Sequence, residues 1–249
     1  MPTSLWLVPA VAVAIAQIAI LATSVYLHRG LAHRTLRIHP LVEVVFRAIL
    51  WLTTGQIRRE WVAVHRKHHA FTDREGDPHS PRLLGVWRIQ LLNAYYYKRA
   101  AADRETLDTF APDIAEDWLD RHLFSWSYAG LLAGISLVCL ALGFWPGLAA
   151  AALHAILYVF VLAPLINGLG HWRGQQNFEN NTAYNSRLLA LVTGGESLHN
   201  NHHAHPRSPK LSMRRHEFDP SWGLIWVLSA VGLIEVRRAS GPEPRASAA

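Results

Sequence analysis

The sequence predicts an all-α protein: an integral membrane helical bundle with a cytoplasmic helical cap that holds a histidine-rich dimetal site. Three observations carry this. Of 249 residues, 51% are hydrophobic and 17% are charged, against about 25% charged in an ordinary soluble domain. No Asp, Glu, Lys or Arg occurs in residues 1–28 or 122–172. Nine of the 15 histidines stand at metal-ligand spacing. The composition excludes a disordered chain, which needs low hydrophobicity and high charge. Cys139 is alone, which excludes a disulfide framework and a multi-thiolate zinc site. The net charge of +6 comes with no nucleic-acid-binding motif, so no nucleic acid partner is expected.

The first element is an apolar helix over 5–27, long enough to cross a bilayer core of about 30 Å. It lacks the charged start and small-residue cleavage site of a signal peptide. Residues 41–54 carry Glu43 and Arg47 in a short apolar run, which predicts an interfacial helix rather than a span. Residues 126–143 and 148–166 read as two further spans, joined by the turn Gly143-Phe144-Trp145-Pro146-Gly147. Residues 222–236, behind Asp219-Pro220, read as a second interfacial helix. One domain is expected over 1–238, followed by a disordered tail over 239–249. By parity, all 24 basic residues fall on one side, which the positive-inside rule makes cytoplasmic.

The histidines form the boxes His28-Arg-Gly-Leu-Ala-His33, His65-Arg-Lys-His68-His69 and His199-Asn-Asn-His202-His203. His171 stands apart, four residues after Asn167. Every box falls at the cytoplasmic end of a span or in a cytoplasmic segment. Positions i, i+3 and i+4 share a helix face. His65, His68 and His69 can therefore point at one place, as can His199, His202 and His203, and Asn167 with His171. His28 and His33 lie about 140° apart on an α-helix, so the helix is expected to stop between them, at Gly30. One ion takes about six ligands, so nine imidazoles imply two ions. No carboxylate lies within the boxes, unlike the carboxylate-bridged four-helix di-iron design. His39, His122 and His216 read as surface residues, and His154, inside a span, as a hydrogen-bonded neutral imidazole. His79 and His205 lie near boxes.

The pieces HRGLAHR, REWVAVHRKHHAFTDREGDPHSP, NGLGHW, NFENNTAYN, GGESLHNNHHAHPRS and EFDPSW resemble the membrane fatty-acid desaturases of the acyl-CoA, delta-9-like type, from about His28 to Val236. The resemblance implies two irons, O2, a fatty acyl thioester or lipid acyl chain as substrate, and NAD(P)H-derived electrons from a cytochrome b5 or ferredoxin partner. It implies as ligands His28, His33, His65, His68, His69, His171, His199, His202 and His203, with Asn167 acting through a water. Glu196 and Asn200, with Asp77 and His79, would support the ligands, and Trp61 would line a bent acyl channel. The family commonly has four spans in two hairpins, whereas this sequence has room for one span before the first box. No haem-binding HPGG segment occurs, so the electron donor is external. A hydroxylase or other lipid oxidase would share the boxes. A metal transporter would instead put ligands at mid-membrane, where only His154 stands. Counting back by fours from His28 gives Ser24, Ile20 and Ala16 as one wall of an acyl tunnel, with Ile20 its floor. A competing row is Leu21 and Gln17.

Overall fold

A computed structural model describes residues 6–179 and 181–237. In chain order these form α1 (Leu7–Ala32), β1 (Leu36–Ile38), α2 (Pro40–Thr53), α3 (Arg58–Phe71), α4 (Pro81–Leu84), α5 (Val86–Ala101), α6 (Arg104–Phe110), α7 (Ser127–Leu142), α8 (Phe144–His171), α9 (Arg187–Val192), α10 (His199–Ala204), α11 (Pro220–Ala230) and β2 (Ile234–Val236). The expected tail, 239–249, lies outside the described residues.

Among the described residues, α1 and α8 are long and apolar enough to cross a membrane. The two pack together, with Ala12, Ala16 and Ala19 of α1 fully buried. Small side chains allow this close approach where lipid gives no hydrophobic drive. α7 and α8 form the expected hairpin, but the turn is tighter than 143–147. Gly143 alone makes it, at φ +88°, and Phe144 already begins α8. A side chain on Gly147 would strike the Cys139 backbone, so the hairpin closes at a glycine contact.

α2 starts at Pro40, and the Leu41 amide donates to Nδ1 of His39. It meets α3 at an 88° bend, so the pair would pass together as a broken span. Two expectations are corrected. Residues 222–236 are not one helix: α11 ends at Ala230, Gly232 turns the chain at φ +75°, and Ile234–Val236 pairs antiparallel with Leu36–Ile38. The two-residue alternation of Leu36-Arg37-Ile38 and Ile234-Glu235-Val236 suits a strand with one face buried. The second correction concerns Gly30, where α1 continues. From Thr23 to Ala32 it winds as a π-helix, and the Gly30 hydrogen faces Ile38 of β1.

Candidate metal centre

The π winding assembles the first box. In a π-helix the bonds run from i to i+5, so residues five apart share a side. The His33 amide donates to the His28 carbonyl at 3.0 Å, and the two rings stand 4.8 Å apart. Wider winding, rather than a helix end, brings the pair together.

α3 and α10 carry the other boxes, and each box is split. His28, His33, His65, His69 and His202 put one ring nitrogen each within 4.8 Å of the others, and so do His68, His171, His199 and His203. The expectation that each HxxHH triple points at one place is therefore corrected. On a helix i+4 lies about 40° to one side of i and i+3 about 60° to the other. The i, i+4 pairs His65/His69 and His199/His203 stay together, and His68 and His202 cross to the opposite cluster.

The spacing is that of ligands around ions. In the first cluster, Nε2 of His202 lies 3.1 Å from Nε2 of His28 and 2.9 Å from that of His69, and those of His33 and His65 are 2.9 Å apart. In the second, Nε2 of His199 lies 2.9 Å from that of His171 and 3.2 Å from that of His203. For a metal–nitrogen bond of about 2.1 Å, ligands at right angles sit about 3.0 Å apart and tetrahedral ones about 3.4 Å.

The rings' outer nitrogens decide the fit. The Nδ1 of His171 lies 3.0 Å from the Asp73 carboxylate, and that of His199 lies 3.2 Å from the Glu196 carbonyl. Both acceptors need a hydrogen on Nδ1, which leaves Nε2 a bare lone pair on each neutral ring. Two lone pairs then face each other across 2.9 Å, an arrangement that repels unless a cation sits between. Burial, and then the neighbouring rings, push His199, His202 and His203 well below the ordinary imidazole range, so they stand neutral, the form that binds metal.

Carboxylates orient the rings. Glu196 is 2.7 Å from Nδ1 of His28 and also accepts from Ser24. Asp77 is 3.0 Å from Nδ1 of His68 and binds the amides of Asp73 and His79. Burial would raise the Asp73 and Asp77 carboxyls. The hydrogen bonds from His171 and His68 outweigh it and hold both below the usual carboxylate range. His79 stacks on His68 at 4.7 Å, and burial lowers it to about 3. Trp61 stacks on His65 at 4.8 Å.

Other expected residues sit elsewhere. Among the described residues, the Asn200 side chain makes no hydrogen bond to a histidine ring. It bonds the backbone of Phe178 and Ala183 and so pins the loop beside the centre. Asn167 lines the cavity that touches His68 and His199, and the helix tightens between it and His171, at Leu169–His171. Asn167 donates to Asn93 at 3.1 Å. His205 packs on Phe178. The sequence reading passed over Asp73, Arg29 and Asp219. Asp73 takes a left-handed conformation, φ +56°, and binds Ser80 and Thr182 as well as His171. Its signal was a second Asp four residues past His69. Arg29, 1% exposed, makes a two-pronged pair with Asp219 at 2.9 and 3.0 Å and locks the first box to the chain before α11.

Two spaces reach the rings. A cavity of about 310 Å³ touches His28, His65, His68 and His199 and runs beside α1 and α8. Ile20, Ser24 and Trp61 line it; Ala16 does not, packing instead against Tyr158 and Leu162 of α8. Leu21 faces an outer groove, and Gln17 bonds the Val192 carbonyl. An open basin of about 720 Å³ touches His33, His69 and His203, and carries Arg34, Arg74 and Arg207 on its rim.

A family profile described as fatty acid desaturase matches residues 4–220. The chain is 32% identical to the delta-9 desaturase-like 2 protein of Arabidopsis thaliana over 214 residues, 83% of this chain and 68% of that one. It is 30% identical to an sn-2 palmitoyl-lipid 9-desaturase of a Nostoc species, over 87% of this chain and 76% of that one. It is 29% identical to a hex-5-enoyl-[acyl-carrier protein] acetylenase of Moorena producens, over 87% and 72%.

Proposed function

The chain belongs to the fatty acid desaturase family of oxidoreductases, and on that premise we propose that it is a multi-pass membrane enzyme that inserts a double bond into a saturated acyl chain, using two irons, O2 and electrons from an external donor. The reading is carried by the facing Nε2 lone pairs of His171 and His199, which call for a cation between them. Nine imidazoles exceed one coordination sphere and suit iron, which has the redox chemistry to activate O2 that zinc lacks. His28, His33, His65, His69 and His202 would hold one ion. His68, His171, His199 and His203 would hold the other, with Asn167 reaching it through a water.

The balance is one acyl chain, one O2, two electrons and two protons, giving one double bond and two waters. The chain's own residues position and exclude. The cavity along Ile20, Ser24 and Trp61 holds the acyl tail away from water and presents one pair of carbons to the ring layer. Glu196, Asp77 and Asp73 stand behind Nδ1 of His28, His68 and His171 and favour the tautomers that turn those three lone pairs inward. The arginine-rimmed basin on the other face suits the acidic surface of a ferredoxin- or cytochrome b5-type donor served by an NAD(P)H reductase. The substrate is a lipid acyl chain or an acyl thioester, and the basic face lies on the cytoplasmic side.

The test is iron analysis of the purified protein with mass spectrometry of lipids from cells that express it. About two irons per chain and a new unsaturated lipid are expected; a protein that binds only zinc and leaves the lipids unchanged would end the proposal. Ile20→Trp should shorten the preferred chain, whereas Leu21→Trp, facing the outer groove, should leave it unchanged.

A further inference from the structure

The acyl cavity is stitched shut on one side and open on another. Toward α1 and α2, the Tyr158 hydroxyl lies 2.8 Å from Thr23 Oγ1 and accepts from Gln56 Nε2 at 3.2 Å. Nε2 of His154 donates to the Thr53 carbonyl at 2.8 Å. Toward α5 the wall is thinner. Among the residues that line the cavity, Ala94, Lys98 and Ala155 are exposed, and the rest are buried or half-buried. These three lie on α5 and α8, which pack against each other.

The shape of α5 explains the gap. Its first half is tied to α8: Ile89 lies against Gly168, and Gln90 donates to the Phe160 carbonyl at 2.6 Å. At Leu92 the backbone leaves helical geometry, φ −120° and ψ 17°, and α5 kinks. Asn93 still accepts from Asn167 at 3.1 Å. Beyond it, no hydrogen bond joins α5 to α8 among the described residues, and Lys98 is held instead by Glu60 of α3 at 3.3 Å. A slot is left between Ala94 and Ala155, where each helix offers only a methyl group.

Depth decides what the slot faces. Ala155 lies sixteen residues before His171, about 24 Å along α8 at 1.5 Å per residue. In a bilayer core of about 30 Å, that edge stands in hydrocarbon. The surroundings agree: Leu91 and Tyr95 of α5, and Ile156 and Phe160 of α8, are large apolar side chains turned outward. Lys98, one turn past Ala94, marks the polar end, its long stem able to carry the ammonium toward head groups. A water-soluble thioester would have to thread its tail in end-on from the aqueous side. A chain whose head stays in the leaflet can slide through the slot along its length.

We propose that acyl chains enter this cavity sideways from the bilayer, between Ala94 of α5 and Ala155 of α8, so that the substrate is a fatty acyl chain still esterified in a membrane glycerolipid. The proposal rests on the desaturase reading, because it takes the cavity as the acyl site, and it chooses between the two substrate classes that reading admits.

The experiment is photolabelling of the purified protein in phosphatidylcholine vesicles. Two probes are compared, a stearoyl phosphatidylcholine and a stearoyl-CoA, each with a diazirine in the methyl-end half of the chain. Peptide mass spectrometry reads which residues are labelled. The lipid probe should label Thr23 and Trp61, which line the cavity from α1 and α3, away from the slot. Excess unlabelled stearoyl-CoA should not compete. Ala94→Trp and Ala155→Trp should each abolish this labelling by filling the slot. Both alanines are exposed, and either variant serves if the other fails to fold. Ile156→Trp, one residue further and outside the cavity, should leave the labelling unchanged. Cavity labelling by the CoA probe alone overturns the proposal and spares the desaturase reading. Lipid labelling that survives both tryptophans also overturns it, because the chain then enters elsewhere. No cavity labelling by either probe overturns the proposal together with the cavity's assignment as the acyl site.

Discussion

The first histidine cluster draws five rings from α1, α3, α10 and the turn after α1, and a carboxylate stands behind one of them, Glu196 at His28. The second draws four rings, and three have an acceptor behind Nδ1: Asp77 at His68, Asp73 at His171 and the Glu196 carbonyl at His199. The larger cluster is held by number and by packing, with Trp61 stacked on His65 and the π-turn pairing His28 with His33. The smaller one is held by oriented hydrogen bonds. The same ligand type is thus fixed in two ways, and the two should fail differently.

The largest effect is expected from deleting a ring. His199→Ala and His69→Ala should each abolish turnover, and each should leave about one metal per chain in a protein that still inserts, because the clusters share no ligand. Metal analysis checks this; loss of both ions from either variant would make the clusters one unit and break the comparison. Next is Glu196→Gln. It removes the carboxylate behind His28 but keeps the carbonyl behind His199. It should weaken metal binding in the first cluster by about 10–100-fold. It also takes a partner from buried Arg29, which costs about 3 kcal/mol and lowers the melting temperature. Chelator titration with a melting curve separates the two effects. Smallest is Asp73→Asn, whose amide keeps an oxygen for His171. About tenfold weaker metal binding is expected in the second cluster alone. Equal weakening in both clusters would show that Thr182, through its bond to Asp73, braces the whole centre.

Much of this is legible in the sequence. The uncharged blocks gave the α7–α8 hairpin and α1, because burying charge in a bilayer is costly wherever it falls. Spacing singled out all nine histidines that now form the two clusters, because a ligand set must be compact along each helix it uses. Ser24 and Ile20 were read onto one wall by counting turns, and both line the cavity. Ala16 was read onto that wall too and is instead packed into the α1–α8 contact, because the row of fours drifts around the helix as it descends.

By itself the sequence determined local periodicity: which stretches are helical, which are apolar, and which side chains come within one turn of each other. Only the tertiary structure decided which turn serves which ion. His68 and His69 are neighbours in sequence yet face different clusters, since successive residues point about 100° apart and α3 has His33 on one side and His171 on the other. The π winding at Thr23–Ala32 depends on what that segment packs against, β1 paired to β2 some two hundred residues later and Arg29 gripped by Asp219. Those contacts join residues far apart in the chain, and no local pattern encodes them.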